Sequence, residues 1–341
     1  MTVDFGVGLA PVEPLKKIIW LARKAEELGY EYFVHADQRF SGERDVFVTL
    51  TADALNTEKI LLGPCVSDPY SRIPGMLATA IGSLDEVSGG RALLTLGAGG
   101  VGFKQLHLER EHPNTALREA LVIVKGLLRG EEVTFSGKMF KVTRAKMNFE
   151  CRKDIPVYIA SRSPMNLELA GELADGCLLA TYASPEQLEY AIAKVEKGAK
   201  KGGRSLGDVK LIAWVYTSVS DESAKAISNV RPFVTQALIN TSPEMYSTIF
   251  KGLKQDVASF LLKCREAGDM KAAHEDRRYL TDEVIRRFSV AGTPGECIEK
   301  VREIARVGVG TIWIRPFSAP YSESEHEKVI VPFAKKVISK V

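Results

Sequence analysis

The chain is poor in the residues that would make several functions easy to assign. Its 341 residues hold five cysteines and five histidines. Cys65, Cys151, Cys177, Cys264 and Cys297 are odd in number and nowhere spaced as CxxC. That argues against a disulfide framework or a structural zinc, and for a reducing, cytoplasmic setting. Cys65, Cys177 and Cys297 stand in apolar or helical contexts and read as small hydrophobes. Charge of one sign is also missing: 46 Lys and Arg against 43 Asp and Glu leave +3. A field that weak gives no case for nucleic acid or an anionic membrane. No apolar run of spanning length occurs, and the opening MTVDFGVGLA has no cationic leader; neither a membrane span nor a signal peptide is expected. HExxH, P-loop and GxSxG motifs are absent, and His107 and His112 lie five apart, a poor spacing for one metal on one helical face. Metal hydrolysis and acyl transfer drop out, and no metal is expected.

What is present is repetition of one kind. Hydrophobic residues make up 45% and charged residues 26%, ordinary for a soluble globular protein. Val3, Phe5, Val7 and Leu9 alternate with Asp4, Gly6 and Gly8, a strand; Leu15, Ile18, Ile19, Ala22 and Ala25 then recur at helical spacing until Gly29. The alternation continues, with strands expected over 32–34, 60–62, 92–96, 156–160, 177–180, 209–219 and 311–314. Helices are expected over 46–55, 76–87, 115–128 and 164–173, with a closing one over 325–340. Capping boxes at Ser184-Pro185-Glu186-Gln187 and Thr293-Pro294-Gly295-Glu296 start two more. Eight apolar strands, each followed by a helix, favour a TIM (β/α)8 barrel over an open doubly wound sheet. No linker divides the chain. Residues 1–341 read as one domain with two insertions, one after the fourth helix (about 130–154, a polar hairpin turning at Ser136-Gly137) and one between strands seven and eight (about 220–290).

In such barrels chemistry lies at the C-terminal strand ends, and the unusual residues of this chain fall there. Strand two runs into His35-Ala36-Asp37-Gln38-Arg39, strand three into Gly63 through Arg72, strand four into Gly97-Ala98-Gly99-Gly100-Val101-Gly102, and strand five into Ser161-Arg162-Ser163-Pro164. The strand-four segment is literally GxGxxG, but the next helix is delayed through His107 and His112 and no acid ends a following strand, unlike a dinucleotide fingerprint. Its glycines either admit a large flat or anionic ligand or form a plain flexible loop. Ser163 and Pro164 look like a helix start, and its free N–H groups with Arg162 suit a phosphate; capping alone explains the two residues equally well. Asp37 is the leading acid, either reactive or a loop cap. His35 faces either the lumen or the helix layer. Lys194, Lys197, Lys200 and Lys201 end a helix, where cations are favoured, and read as a solvated face.

Taken together, Gly63-Pro64-Cys65-Val66-Ser67-Asp68-Pro69-Tyr70-Ser71-Arg72, Gly90 through Gly99, and the run from Ala160 through Gly171 to Ala174-Asp175-Gly176 resemble the luciferase-like flavin and deazaflavin oxidoreductase superfamily. The resemblance is to its methylenetetrahydromethanopterin reductase branch above all. It implies a barrel whose mouth holds coenzyme F420 or FMN. It also implies a non-prolyl cis peptide in a bulge ending strand three, by position Cys65–Val66, behind the ring. It puts Asp37 beside the ring, and Gly97, Gly99, Gly100, Ser161, Arg162 and Ser163 along the ring edge and phosphate tail. Gln38 stands where sugar-phosphate dehydrogenases of the superfamily carry histidine. Gly8 and Gly100 stand where the reductases carry, or are followed by, acids.

The expectation is a cytoplasmic oxidoreductase moving a hydride between F420 and a small organic or pterin-like substrate. Asp37 and Gln38 are its catalytic candidates, and His35, Cys65, Val66, Gly97, Gly99, Gly100, Ser161, Arg162 and Ser163 its cofactor-binding ones. The alternatives are an FMN-dependent monooxygenase and a non-catalytic ligand-binding paralogue. A small-molecule substrate and a homodimer are the expected partners.

Overall fold

The structure, a computed structural model, describes residues 3–37, 42–100, 102–180, 183–241, 246, 255–268 and 276–341. It divides into two compact units, one of Gly6–Leu179 with Ala193–Ile212, the other of Met1–Phe5, Ala180–Ile192 and Ala213–Val341.

The first unit carries the strand–helix repeats nearest the N-terminus. Strands β1 (Asp4–Leu9), β2 (Tyr32–His35), β3 (Leu61–Pro64) and β4 (Leu94–Leu96) alternate with helices α1 (Leu15–Glu27), α2 (Val46–Ala54) and α3 (Pro74–Ser88). After a short α4 (Phe103–Leu106) and α5 (Pro113–Leu128) come the hairpin β5 (Val133–Ser136) and β6 (Lys141–Ala145). β7 (Val157–Ser161), α6 (Pro164–Leu173), β8 (Gly176–Leu179) and α7 (Pro185–Lys201) follow. All four residues of β2 are buried, as expected of a parallel strand covered on both faces. α1 buries Ile18, Leu21, Ala22 and Ala25 on one stripe and is followed by Gly29 at φ 83°, a left-handed value that glycine adopts freely. α2 is capped by Asp45, whose carboxylate accepts from the N–H groups of Phe47 and Val48.

Parallel registers fix which strand ends meet. His35 pairs with Leu9 and Pro64, and Leu96 with Ile159. β3 and β4 are joined by single bridges, Leu62 to Ala92 and Ser67 to Leu96. The C-terminal end of β4 therefore lies directly beside that of β7. The hairpin turn spans 137–140 rather than Ser136-Gly137. Glu119 on α5 decides this, because its carboxylate accepts the N–H groups of Lys138, Met139 and Phe140 at 2.7–2.9 Å.

The second unit adds β9 (Lys210–Val219), α8 (Ser223–Ile239), α9 (Gln255–Ala267), α10 (Asp282–Arg287), β10 (Val290–Gly292), α11 (Pro294–Arg306), β11 (Thr311–Pro316) and α12 (Glu327–Lys336). The insertion has its own core, with Val230, Val234, Leu238, Leu261, Ile285, Phe288 and Phe317 packed together. It returns through β10, parallel to β9, which periodicity did not announce. Thr293 and Glu296 form the expected reciprocal cap. Ser184 does not: its hydroxyl donates to Glu186 at 2.7 Å, and the Gln187 side chain finds no partner among the described residues. The main sheet runs β3-β2-β1-β11-β9-β8-β7-β4, the strand order of a nearly closed eight-stranded (β/α)8 barrel, with β10 attached to β9. Among the described residues no helix is long and apolar enough to cross a membrane, and none of the five cysteines forms a disulfide.

Candidate active site

Everything at this site belongs to the first unit, at the C-terminal ends of β2, β3, β4 and β7. β2 delivers Asp37 two residues beyond its last paired residue. Asp37 Oδ2 accepts from Ser67 Oγ at 2.6 Å and from Arg72 Nε at 2.8 Å, and Oδ1 accepts from Arg72 Nη2 at 3.2 Å. Arg72 Nη2 also donates to Asp45 Oδ2 at 2.6 Å. Burial works against the Arg72 charge, but the hydrogen bonds and attraction of Asp37 and Asp45 outweigh it and hold its pKa above the usual arginine value.

The segment after β3 is stitched between two strands. Cys65 N–H donates to the His35 carbonyl at 2.6 Å, Ser67 N–H to Thr95 O at 3.0 Å, and Gly97 N–H to Ser67 O at 2.9 Å. Between these anchors the Cys65–Val66 peptide bond is cis, as the family resemblance implied. Asp68 then folds the chain back: its carboxylate accepts from Tyr70 N–H, Ser71 N–H and Ser71 Oγ at 2.7–2.8 Å. That turn brings Arg72 round to Asp37.

The glycines after β4 line a close-packed cradle. A Cβ on Gly97 would lie 2.6 Å from Val66 Cγ2, and one on Gly99 would lie 2.4 Å from the Phe103 ring and 3.1 Å from the Asp68 carboxyl carbon. Gly99, Gly100 and Gly102 have φ of 65°, 127° and 80°, so side chains are disfavoured there on backbone grounds as well. The Gly99 carbonyl accepts from Arg110 Nη1 at 3.3 Å.

Beside this loop, β7 runs into Ser161, Arg162 and Ser163, all partly buried. Ser163 is the N-cap residue of α6 and Pro164 its first residue, yet the Ser163 hydroxyl caps nothing. Instead its N–H donates to Ser161 Oγ at 3.0 Å. A ten-residue helix whose N-cap hydroxyl makes no cap bond among the described residues, and whose first N–H groups lack an intrahelical acceptor, suits an anion.

The structure thus brings Asp37, Cys65, Val66, Gly97 and Gly99 onto adjoining strand ends, with Gly100 in the same loop and Ser161, Arg162 and Ser163 on the neighbouring one. It removes His35. That side chain is fully buried, with Nε2 2.6 Å from Asp53 Oδ2 on α2 and its ring edge-on to Phe33. Strand alternation turns position 35 toward the helix layer, so only its carbonyl serves the site. Gln38 lies outside the described residues. Sequence reasoning did not single out Ser67, Arg72 and Asp45, which hold Asp37, or Arg110. The signal available was an arginine closing the strand-three motif, but which acid it meets is a long-range fact. Among the described residues no group of His, Cys, Asp and Glu could hold a metal ion.

The residues present fit a flat cofactor with an anionic tail: side-chain-free backbone at Gly97 and Gly99, and a helix start with free hydroxyl and N–H groups. Residues 2–311 match the family described as luciferase-like monooxygenase. A 5,10-methylenetetrahydromethanopterin reductase from Methanolobus tindarius is 36% identical over 314 residues, covering 91% of this chain and 93% of that protein. Its namesake from Archaeoglobus fulgidus is 33% identical, with 90% and 91% covered. The solved coenzyme F420-dependent tetrahydromethanopterin reductase of Methanopyrus kandleri superposes with a TM-score of 0.86 at 29% identity, over 100% of this chain and 99% of that one. An F420-dependent secondary alcohol dehydrogenase, solved with an F420–acetone adduct, shares the fold at a TM-score of 0.77 and 18% identity.

Proposed function

The chain belongs to the luciferase-like monooxygenase family, and from that footing we propose that it is an F420-dependent oxidoreductase that transfers a hydride between F420 and a pterin-like substrate, as a methylenetetrahydromethanopterin reductase does. The observation that carries this reading is the packed backbone at the β3 and β4 ends, where Gly97 sits against Val66, and Gly99 against Phe103 and Asp68, too closely for a side chain. When bound, F420 supplies a deazaflavin ring that accepts or gives a hydride.

The residues divide the remaining work. Cys65, Val66 and Gly97 would back the ring. Gly99 and Gly100 would let backbone approach its edge. Ser161, Arg162, Ser163 and the α6 N–H groups would take the phosphate, with the helix dipole adding to the attraction. Asp37, held by Ser67 and Arg72, would orient the reacting edge by accepting a hydrogen bond, and Gln38 follows it in sequence as a further candidate. Residues 1–341 form one barrel domain in this reading. The cytoplasmic setting rests on the free thiols. The homodimer rests on Val48, Leu55, Ile73 and Met76, exposed and uncharged on α2 and at the start of α3.

Titrating the purified protein with F420 and with FMN, followed by fluorescence, tests the cofactor. F420 is expected to bind more tightly, and oxidation of reduced F420 is expected to require methylene-tetrahydropterin rather than oxygen. Tighter FMN binding with oxygen uptake would make the protein a monooxygenase instead, and binding without turnover would make it a ligand-binding paralogue.

A further inference from the structure

A carboxylate has roughly four acceptor positions, and among the described residues Asp37 spends three of them. Ser67 Oγ and Arg72 Nε take both positions on Oδ2, and Arg72 Nη2 takes one on Oδ1. The Asp37 side chain keeps 13% of its surface exposed. The same guanidinium reaches Asp45, the N-cap of α2, and its central carbon lies 5.1 Å from the centre of the Phe47 ring. Arg72 is itself delivered by the Asp68 turn. One planar cation therefore ties the β2 end, the start of α2 and the β3 loop into a single arrangement.

We propose that Arg72 is a positioning residue for the hydride transfer, orienting Asp37 so that one acceptor position, on Oδ1, is left for an N–H of the ring or the substrate. The proposal rests on the F420-dependent reading above and adds to it the part that holds the Asp37 carboxylate in one orientation. Two parallel bonds from Arg72 plus one from Ser67 fix both the plane and the rotation of the carboxylate. Lysine cannot do this, because a point charge with rotatable donors does not reproduce a planar fork to two acids. Asp45 braces the far side of the guanidinium and has a lesser role.

The test uses the whole chain, with F420 binding and steady-state turnover measured for the wild type, R72A, R72K and D45N. R72A should lose about 100-fold in kcat/KM, since displacement of a catalytic group by about 1 Å has that effect. R72K should recover little of it, and D45N should fall less than R72A. Added ethylguanidinium should restore R72A at least about tenfold in a saturable way, a response that a merely structural arginine would not give. Folding is checked by circular dichroism; if R72A does not fold, R72K carries the test, and full activity in R72K overturns the proposal. A folded R72A with unchanged kcat/KM, or one that ethylguanidinium does not rescue, also overturns it. A wild type that neither binds F420 nor turns over removes the F420-dependent reading, and this proposal with it; failure in the variants alone removes only the role of Arg72.

Discussion

Gly97 lies so close to Val66 that a Cβ on the glycine would come within 2.6 Å of Val66 Cγ2. Valine is stiff about χ1 and cannot swing aside cheaply. Gly97→Ala should therefore displace the Val66 side chain and weaken F420 binding about tenfold or more, with overpacking of this kind costing roughly 1–3 kcal/mol. Val66→Ala in the same chain should restore much of the loss. Binding isotherms for the two single variants and the double variant measure the coupling; additive effects would mean that the two positions act independently.

The Ser163 hydroxyl stands at the N-cap of α6 without capping it. If it serves a phosphate, Ser163→Ala should weaken F420 but leave the affinity of the phosphate-free deazaflavin alcohol nearly unchanged. A neutral or slightly charged hydrogen bond of this type is worth about 1–2 kcal/mol, or roughly a tenfold effect. Equal weakening of both ligands would assign Ser163 to the ring region instead.

Arg91 lies at the opposite end of the strands and serves stability. It is buried, and its guanidinium donates to the carbonyl oxygens of Ala54, Thr57, Ile60 and Ser88 and to the Thr57 hydroxyl at 2.7–3.0 Å. Arg91→Met would leave four carbonyls without this donor, so about 3 kcal/mol or more of stability should go. Chemical denaturation should show it as a lower midpoint, while F420 affinity of the folded fraction stays as in the wild type.

His326 sets a pH dependence. Burial pushes its pKa down to about 4, while the Pro316 carbonyl, 3.3 Å from Nδ1, pulls the other way. An unfolded histidine takes its proton near 6.5, so the folded state resists a proton that the unfolded state accepts. Its contribution is whole above about pH 6.5 and declines as the pH falls toward about 4. Thermal midpoints at pH 7 and pH 5 should separate more in the wild type than in His326→Gln; an equal separation would place the acid sensitivity elsewhere.

Local signals explain what could be read without coordinates. The amphipathic stripe of α1, the Pro164 helix start and the Thr293–Glu296 cap depend on neighbours within a turn or two, and each forms where its spacing places it. The cradle glycines were legible because glycine has few other reasons to cluster at a strand end. The misses involve distant partners. Ser184 found Glu186 in place of a backbone cap, and the hairpin turn moved because Glu119, some twenty residues away, holds its N–H groups.

The sequence alone determined that this protein is an alternating strand–helix barrel with its candidate site residues gathered at one rim, because period, turn chemistry and burial are written into short stretches. Tertiary structure decided which side chains in that rim turn to the mouth and which turn away from it. His35 ends β2 and Asp37 lies two residues beyond it, yet one is locked to Asp53 in the helix layer and the other is held at the mouth by Arg72, 35 residues on. Such pairings arise only when separate strand ends are brought side by side, and no local pattern encodes them.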